Sequence, residues 1–123
     1  MKVDIERLKK DIEDILSVKR DIANLLDLGT DNFLADKRNS LALKYLLVEA
    51  VEAICDVCQH VLAKSKGIAC NGYVDCIIKA GENNIISHSL SNKLKGLANL
   101  RNSLIHRYRI IKDDELYNSQ YIT

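Results

Sequence analysis

The sequence predicts an all-α protein, an up-and-down bundle of about four to five helices in a single domain, residues 1–123. Proline is absent, which favours long helices because a proline interrupts the hydrogen bonds of a helix interior. Apolar residues recur at three- and four-residue steps along most of the chain. No segment has the clear alternation of a strand, and no internal repeat is present.

The first helix is predicted from about Lys2 to Leu28. Most of its surface is charged, with i, i+4 pairs such as Glu6–Lys10 and Lys10–Asp14 that are typical of a solvent-exposed face. One apolar stripe at helical spacing remains for the core; it consists of Ile5, Leu8, Ile12, Ile15, Ile22 and Leu26.

The second helix is predicted to begin near Thr30 or Asp31, either of which is a good N-cap, and to run to about Ser65. A helix that is apolar nearly all round must be covered nearly all round, and a four-helix monomer offers few elements for that. We therefore expect a second subunit to pack on this helix, most simply in a two-fold homodimer. The apolar residues that spread over more than half of its circumference are Leu41, Leu43, Leu46, Leu47, Val48, Val51, Ile54, Cys58 and Val61.

The C-terminal half is predicted to contain a loop at residues 66–73, a short helix (VDCIIKA) and a last long helix that opens after GENN. The short helix is expected to end at Gly81, just as Gly29, Gly67 and Gly72 each fall where a helical pattern stops. After Lys112 the chain has a short acidic stretch, predicted to form one frayed helical turn. The apolar stripe of the long helix comprises Ile86, Leu90, Leu94, Leu97, Leu104 and Tyr108.

The composition is that of an ordinary soluble globular protein, with 47% hydrophobic and 28% charged residues. The net charge of +1 excludes a strongly basic nucleic-acid coat protein, so any contact with RNA must come from a local basic patch. The N-terminus is charged throughout and resembles neither a signal peptide nor a membrane anchor. These observations favour a cytoplasmic protein without membrane contact.

The four cysteines, Cys55, Cys58, Cys70 and Cys76, are not expected to form disulfides in a reducing cytosol. The C-x-x-C pair lies within a strongly helical run, whereas zinc and redox motifs usually place such a pair on a turn. His60 is nearby, which keeps a metal site conceivable. We interpret the thiols as small buried hydrophobic groups and predict no metal site.

The segment RNSLIHRY, residues 101–108, is the main functional candidate. At 100° per residue, Arg101 lies within about 20° of Tyr108 around the helix, and Asn102 shares a neighbouring face with His106. Arg101 also continues the apolar stripe, so its charge must either pair with an acid in the core or face a cleft.

Structural interpretations exist for each of these side chains. Arg101 can pair with Glu49 or Glu52, His106 can favour the negative end of a helix dipole, and Tyr108 can be a core residue with a bonded hydroxyl. The charge pattern argues against a purely structural role, because no acidic residue occurs between positions 101 and 112. The basic residues of this run are Arg101, His106, Arg107, Arg109 and Lys112.

RNSLIHRY resembles the R-x-x-x-x-H-x-Y signature of the HepT-like toxins, a branch of the HEPN superfamily. The resemblance extends beyond the signature. The helix LALKYLLVEAVEAICDVCQHVLAK is similar to the second helix of that family. The segment from GYVDCIIKAGENNIIS through LANLRNSLIHRYRIIKDDELY follows the C-terminal half of the family in order and spacing. It covers essentially the whole chain.

The resemblance implies a helical-bundle homodimer with a composite active cleft between its two motif helices. Members of the family are metal-independent endoribonucleases that need no cofactor. They are typically encoded beside a small nucleotidyltransferase antitoxin of the MNT type. That partner can silence the toxin by attaching AMP to the motif tyrosine, which corresponds to Tyr108.

The chemistry of the residues is consistent with RNA cleavage. His106 can act as general base or acid near neutral pH, and Arg101 can stabilise a phosphorane with its forked donors. Asn102 can orient the histidine or a phosphate oxygen, while Arg107 and Arg109 supply contacts to the RNA backbone. On a straight helix Arg101 and His106 lie about 140° apart, which favours a site built from two copies of the chain.

Two other functions are compatible with the pattern. The chain can be a non-catalytic helical subunit that binds a nucleotide or serves a nucleotidyltransferase as its partner. It can also be a structural dimer without a ligand, although the basic run around His106 disfavours that interpretation.

Overall fold

The structure is a computed structural model that describes residues 3–106 and 112–118, with the backbone alone at His106. Within these ranges the regular secondary structure is entirely helical, which confirms the predicted all-α bundle. Among the described helices, none is both long and apolar enough to cross a membrane. The helices are α1 (Ile5–Leu26), α2 (Thr30–Ala35), α3 (Lys37–Val61), α4 (Tyr73–Glu82), α5 (His88–His106) and α6 (Asp113–Tyr117).

Helix α1 begins where the carboxylate of Asp4 accepts a hydrogen bond from the backbone N–H of Arg7 at 3.1 Å, as an N-cap residue does. Its buried side is centred on Val18. Ile5 and Ile12, predicted to belong to the core stripe, are 59% and 50% exposed. Both lie about 120 to 140° from Val18 around the helix, so the part of the predicted stripe that included them was wrong.

The second predicted helix is divided into two helices at Asp36. The backbone of Asp36 is extended (φ −127°, ψ 113°), and its carboxylate accepts from the N–H of Arg38 at 2.9 Å and so starts α3. An aspartate side chain that captures a nearby backbone donor competes with the helix in this way. Helix α2 starts after Gly29, so neither Thr30 nor Asp31 is its N-cap as predicted.

Helix α3 is the central element, since it contacts every other helix of the bundle. A ridge of side chains at helical spacing along α3 is buried; it comprises Leu43, Leu47, Val51, Cys55 and Cys58. A π-helical segment (Leu62–Lys66) extends α3 to Gly67, whose φ of +66° ends the helix. On the opposite face Leu41 and Tyr45 remain 53% and 65% exposed. The homodimer stays a prediction, because an exposed apolar surface by itself does not identify what covers it.

Helices α4 and α5 pack closely at Gly81. Gly81 was predicted to end the short helix, but it lies inside α4, which continues to Glu82, and it is buried. A Cβ atom at this position would lie 2.6 Å from the Oγ of Ser91 on α5. The Ser91 hydroxyl in turn donates to the carbonyl of Ile77 at 3.1 Å. The glycine is therefore required by interhelical packing rather than by helix termination.

Helix α6 joins the C-terminal part of the chain to the core. The helical turn predicted here is confirmed, but it is packed rather than frayed, because Leu116 is fully buried. The hydroxyl of Tyr117 donates to the carbonyl of Leu26 at 2.7 Å, and its ring lies 4.7 Å from that of Phe33. These contacts connect α6 with the end of α1 and with α2.

Gly81→Ala is expected to lower the free energy of unfolding by about 1–3 kcal/mol, because the added methyl group overpacks the α4–α5 contact. Chemical denaturation followed by circular dichroism measures the effect. Adding Ser91→Gly to the variant removes the opposing side chain and should restore part of the loss. A Gly81→Ala variant as stable as the original chain would show that α4 and α5 are not this close.

Candidate active site around Arg101

Arg101 lies on α5 with only 13% of its side chain exposed. The central carbon of its guanidinium lies 4.3 Å from the ring centroid of Tyr73, at the start of α4. A cation over the face of an aromatic ring is attracted by the ring quadrupole, more strongly where water is excluded. Tyr73 therefore supports Arg101 from below without occupying any of its N–H donors.

The polar contacts of Arg101 leave part of its donor capacity unused. Its Nη1 donates to the Oδ1 of Asn102 at 3.1 Å, and its Nη2 lies 3.6 Å from the Oε1 of Glu52. Of the two acids considered as partners, Glu52 is the one that pairs, although its side chain is 48% exposed. No acceptor among the described residues meets the buried Nε. This ion pair is too long and too exposed to explain by itself why a guanidinium is buried here.

Asn102 makes a contact in the structure that the sequence interpretation did not predict. Its side-chain oxygen accepts from Arg101, the preceding residue, so Asn102 holds the guanidinium. An interaction between Asn102 and His106 stays a prediction, because the side chain of His106 lies outside the described atoms. The backbone of α5 is helical through His106, which keeps the predicted angle of about 140° between Arg101 and His106.

The remaining predicted site residues, Arg107, Tyr108 and Arg109, lie outside the described residues. Their predicted roles in RNA binding and modification stay predictions. Two neighbours of Arg101 were not fully identified from the sequence. Tyr73 was not assigned to the site, and Glu52 was one of two alternative partners. Tyr73 follows the loop KGIACNG and begins a helix. Its contact with Arg101 could not be predicted, because the local sequence does not show which distant side chain will pack on the ring.

The surface next to Glu52 is acidic. A groove between α1 and α3, with a volume of about 350 Å³, is lined mainly by acidic side chains. Burial and the nearby carboxylate of Asp11 raise the pKa of Asp56, while Arg7 lowers it. These acidic side chains disfavour the binding of a polyanion at this groove. The carboxylates of the groove are those of Asp14, Asp21, Glu49, Glu52 and Asp56.

The interpretation of the cysteines as buried hydrophobic groups is confirmed for Cys55, Cys58 and Cys76, whereas Cys70 is partly exposed. Burial raises the pKa of Cys55 to about 12. In the part of the chain that the structure describes, no three His, Cys, Asp or Glu side chains are grouped to hold a metal ion. His60 has a structural contact, since its Nε2 accepts from the backbone N–H of Asp4 at 3.0 Å.

Comparison with known proteins assigns the family. The family described as "Ribonuclease HepT-like" matches residues 6–120, which include all of RNSLIHRY. The chain belongs to the HepT-like ribonuclease family. The family resemblance drawn from the sequence is thereby confirmed.

A curated relative of this HepT-like chain is the tRNA nuclease HepT of Aphanizomenon flos-aquae (strain 2012/KM1/D3). The two sequences are 24% identical over 91 residues, which is 74% of this chain and 62% of the relative. The HepT-like chain thus spans less than two thirds of the length of the relative that it matches.

Arg101→Met is expected to leave the free energy of unfolding unchanged or to raise it by up to about 2 kcal/mol. Methionine keeps the packing on Tyr73 and removes a buried charge whose Nε is unpaired among the described residues. Denaturant unfolding is the measurement, with Arg38→Met as the control. Arg38 pairs with Asp36 but is 88% exposed, so its replacement should have no measurable effect. Clear destabilisation by Arg101→Met would assign Arg101 a structural role.

Proposed function

We propose that this HepT-like chain is the toxin of a toxin–antitoxin pair and acts as a metal-independent endoribonuclease. The proposal rests chiefly on Arg101, a mostly buried cation on the same helix as His106 in a chain of a ribonuclease family. The active unit is a homodimer of the single domain 1–123 in the cytoplasm. An MNT-type nucleotidyltransferase partner neutralises it by attaching AMP to Tyr108.

The proposed reaction uses the 2′-hydroxyl of RNA as the nucleophile. His106 takes the proton of this hydroxyl, and the 2′-oxygen attacks the adjacent phosphorus. The bond from phosphorus to the 5′-oxygen breaks as this oxygen receives a proton from the protonated His106, leaving a 2′,3′-cyclic phosphate on one fragment and a 5′-hydroxyl on the other. Arg101 stabilises the charge on the phosphorane oxygens, and Asn102 holds the guanidinium in place.

Substrate binding is assigned to the basic run. Arg107 and Arg109 contact phosphates on either side of the cleaved bond, so binding should weaken as the salt concentration rises. AMP on Tyr108, two residues beyond His106, blocks the same cleft. We take tRNA as the first substrate to test, since the relative in A. flos-aquae is named a tRNA nuclease.

The geometry of α5 supports a cleft shared by two chains. Positions 101 and 106 lie about 140° apart around one helix, so we assign the arginine and the histidine that act on one phosphate to different chains. Two copies related by a two-fold axis can place the Arg101 of one beside the His106 of the other. The exposed side chains of Leu41 and Tyr45 on α3 provide apolar surface for such a contact.

His106→Ala is expected to abolish cleavage of tRNA in the presence of EDTA, whereas the unmodified chain cleaves and leaves cyclic phosphate ends. His88→Ala is the matched control, because His88 is an exposed histidine about 27 Å away at the other end of the same helix. Circular dichroism verifies that both variants fold, and mass spectrometry verifies beforehand that Tyr108 carries no nucleotide.

If His106→Ala cleaves RNA as fast as the chain without the substitution, the role assigned to His106 is contradicted. Activity that appears only when a divalent metal is added would contradict the metal-independent mechanism. If the unmodified, folded chain cleaves no RNA, the alternative function as a non-catalytic partner of a nucleotidyltransferase is supported instead.

Mixing Arg101→Met with His106→Ala is expected to restore cleavage to about a quarter of the original rate. Random exchange of subunits makes half of the dimers mixed, and each mixed dimer has one intact composite cleft of two. The mixture is compared with each variant alone after denaturation and joint refolding. If the mixture stays inactive while sedimentation shows dimers, Arg101 and His106 act within one chain. A purely monomeric protein at tens of micromolar would contradict the dimer itself.

A further inference from the structure

All four cysteines of the chain converge at the junction of α3, α4 and the loop between them. The thiol of Cys76 on α4 donates to the carbonyl of Cys55 on α3 at 3.7 Å. The thiol of Cys55 donates to the carbonyl of Tyr73 at 3.8 Å. Cys70, in the loop, packs against the buried cluster that contains Cys58 and Cys76. The sequence interpretation, which treated the thiols as separate buried groups, did not anticipate this convergence.

The loop that carries Cys70 is fixed to α4 on both sides of the cysteine. The backbone N–H of Asn71 donates to the carboxylate of Asp75 at 2.8 Å. The ammonium group of Lys79 donates to the carbonyl of Ala69, also at 2.8 Å, and pairs with Asp75 at 3.0 Å. Residues 69–71 are thereby folded back over the first turns of α4, which places Cys70 against the cluster that contains Cys76 and beside the cavity that Cys76 also lines.

The thiols differ in their access to solvent. Cys55, Cys58 and Cys76 are buried, whereas Cys70 is partly exposed. Cys55, Cys70 and Cys76 line one cavity of about 340 Å³ between α3 and the loop. Burial also raises the pKa of Cys58 and of Cys76, which keeps both protonated. A small reagent that enters the cavity therefore reacts first with Cys70.

We propose that Cys70 and Cys76 are a redox-sensitive dithiol pair that closes to a disulfide by exchange with a small-molecule disulfide of the glutathione class. The thiolate of Cys70 attacks one sulfur of the small disulfide, forms a mixed disulfide and releases one small thiolate. Cys76 then loses its proton and attacks the sulfur of Cys70, which releases the second small thiolate. The protein is oxidised by two electrons, and the small disulfide is reduced to two thiols.

The choice of Cys76 as the second thiol follows from proximity. Cys76 both lines the cavity of Cys70 and belongs to the buried cluster against which Cys70 packs, and only five residues separate the two in the sequence. The other two cysteines, Cys55 and Cys58, lie on successive turns of the regular helix α3 rather than on α4 beside the loop of Cys70. In a reducing cytosol the pair is open and closes only under oxidative conditions. The proposal does not depend on the ribonuclease activity.

The experiment treats the full-length, reduced chain with oxidised glutathione and then blocks free thiols with iodoacetamide under denaturing conditions. Peptide mapping by mass spectrometry without reduction is expected to find Cys70 linked to Cys76, with Cys55 and Cys58 alkylated. Cys70→Ala should lose the intramolecular disulfide, and Cys58→Ala, the matched control, should keep it. Cys76→Ala should stop at a glutathione adduct on Cys70.

Three results would overturn the proposal: a disulfide between Cys55 and Cys58, a wild-type chain that stops at the mixed disulfide on Cys70, or four free thiols after treatment. Circular dichroism accompanies each variant. Cys70 is partly exposed, so its replacement by alanine preserves the fold and keeps the test valid even if Cys76→Ala fails to fold.

Discussion

The buried ridge of α3 is the constraint on which the rest of the structure depends. Leu43, Leu47 and Val51 recur every four residues, so they form one continuous apolar line that α1, α4 and α5 must cover. Cys55 continues this line and donates its thiol to the carbonyl of Tyr73. The ridge thereby fixes the start of α4. It also positions the ring of Tyr73 beneath Arg101, so the geometry of the candidate site depends on the packing of the core.

The surroundings of Arg101 explain how a cation can be both fixed and available to a ligand. Its contact with Tyr73 occupies the flat face of the guanidinium, and its bond to Asn102 occupies one edge. The contact with Glu52 is long, at 3.6 Å, and Glu52 is half exposed. The Nη2 of Arg101 therefore has no close acceptor among the described residues, while the other two contacts hold the guanidinium in place. Preorganised donors of this kind need no rearrangement during a reaction.

The sequence predicted those features that depend on local periodicity, and missed those that depend on tertiary contacts. The all-α class and the long helix through Arg101 follow from apolar spacing. The break at Asp36 depends on one side chain that captures a backbone donor, and apolar spacing does not register it. Gly81 was predicted to end a helix, but it is a glycine because Ser91 of another helix packs against it. Tyr73 meets Arg101 only because α4 and α5 pack together, so local sequence gave no indication of that contact.

Charge and geometry lead to the same conclusion about the proposed cleft. On one side of Arg101 lies the acidic groove that includes Glu49 and Asp56, and this groove repels RNA. In the sequence the basic run begins at Arg101 and extends past the end of α5, and the proposal assigns RNA binding to it. Within one chain, however, positions 101 and 106 of α5 lie about 140° apart around the helix axis. In the proposed dimer, the Arg101 of one chain and the His106 of the other act on one phosphate. The basic runs of both chains then contribute to binding a single RNA strand.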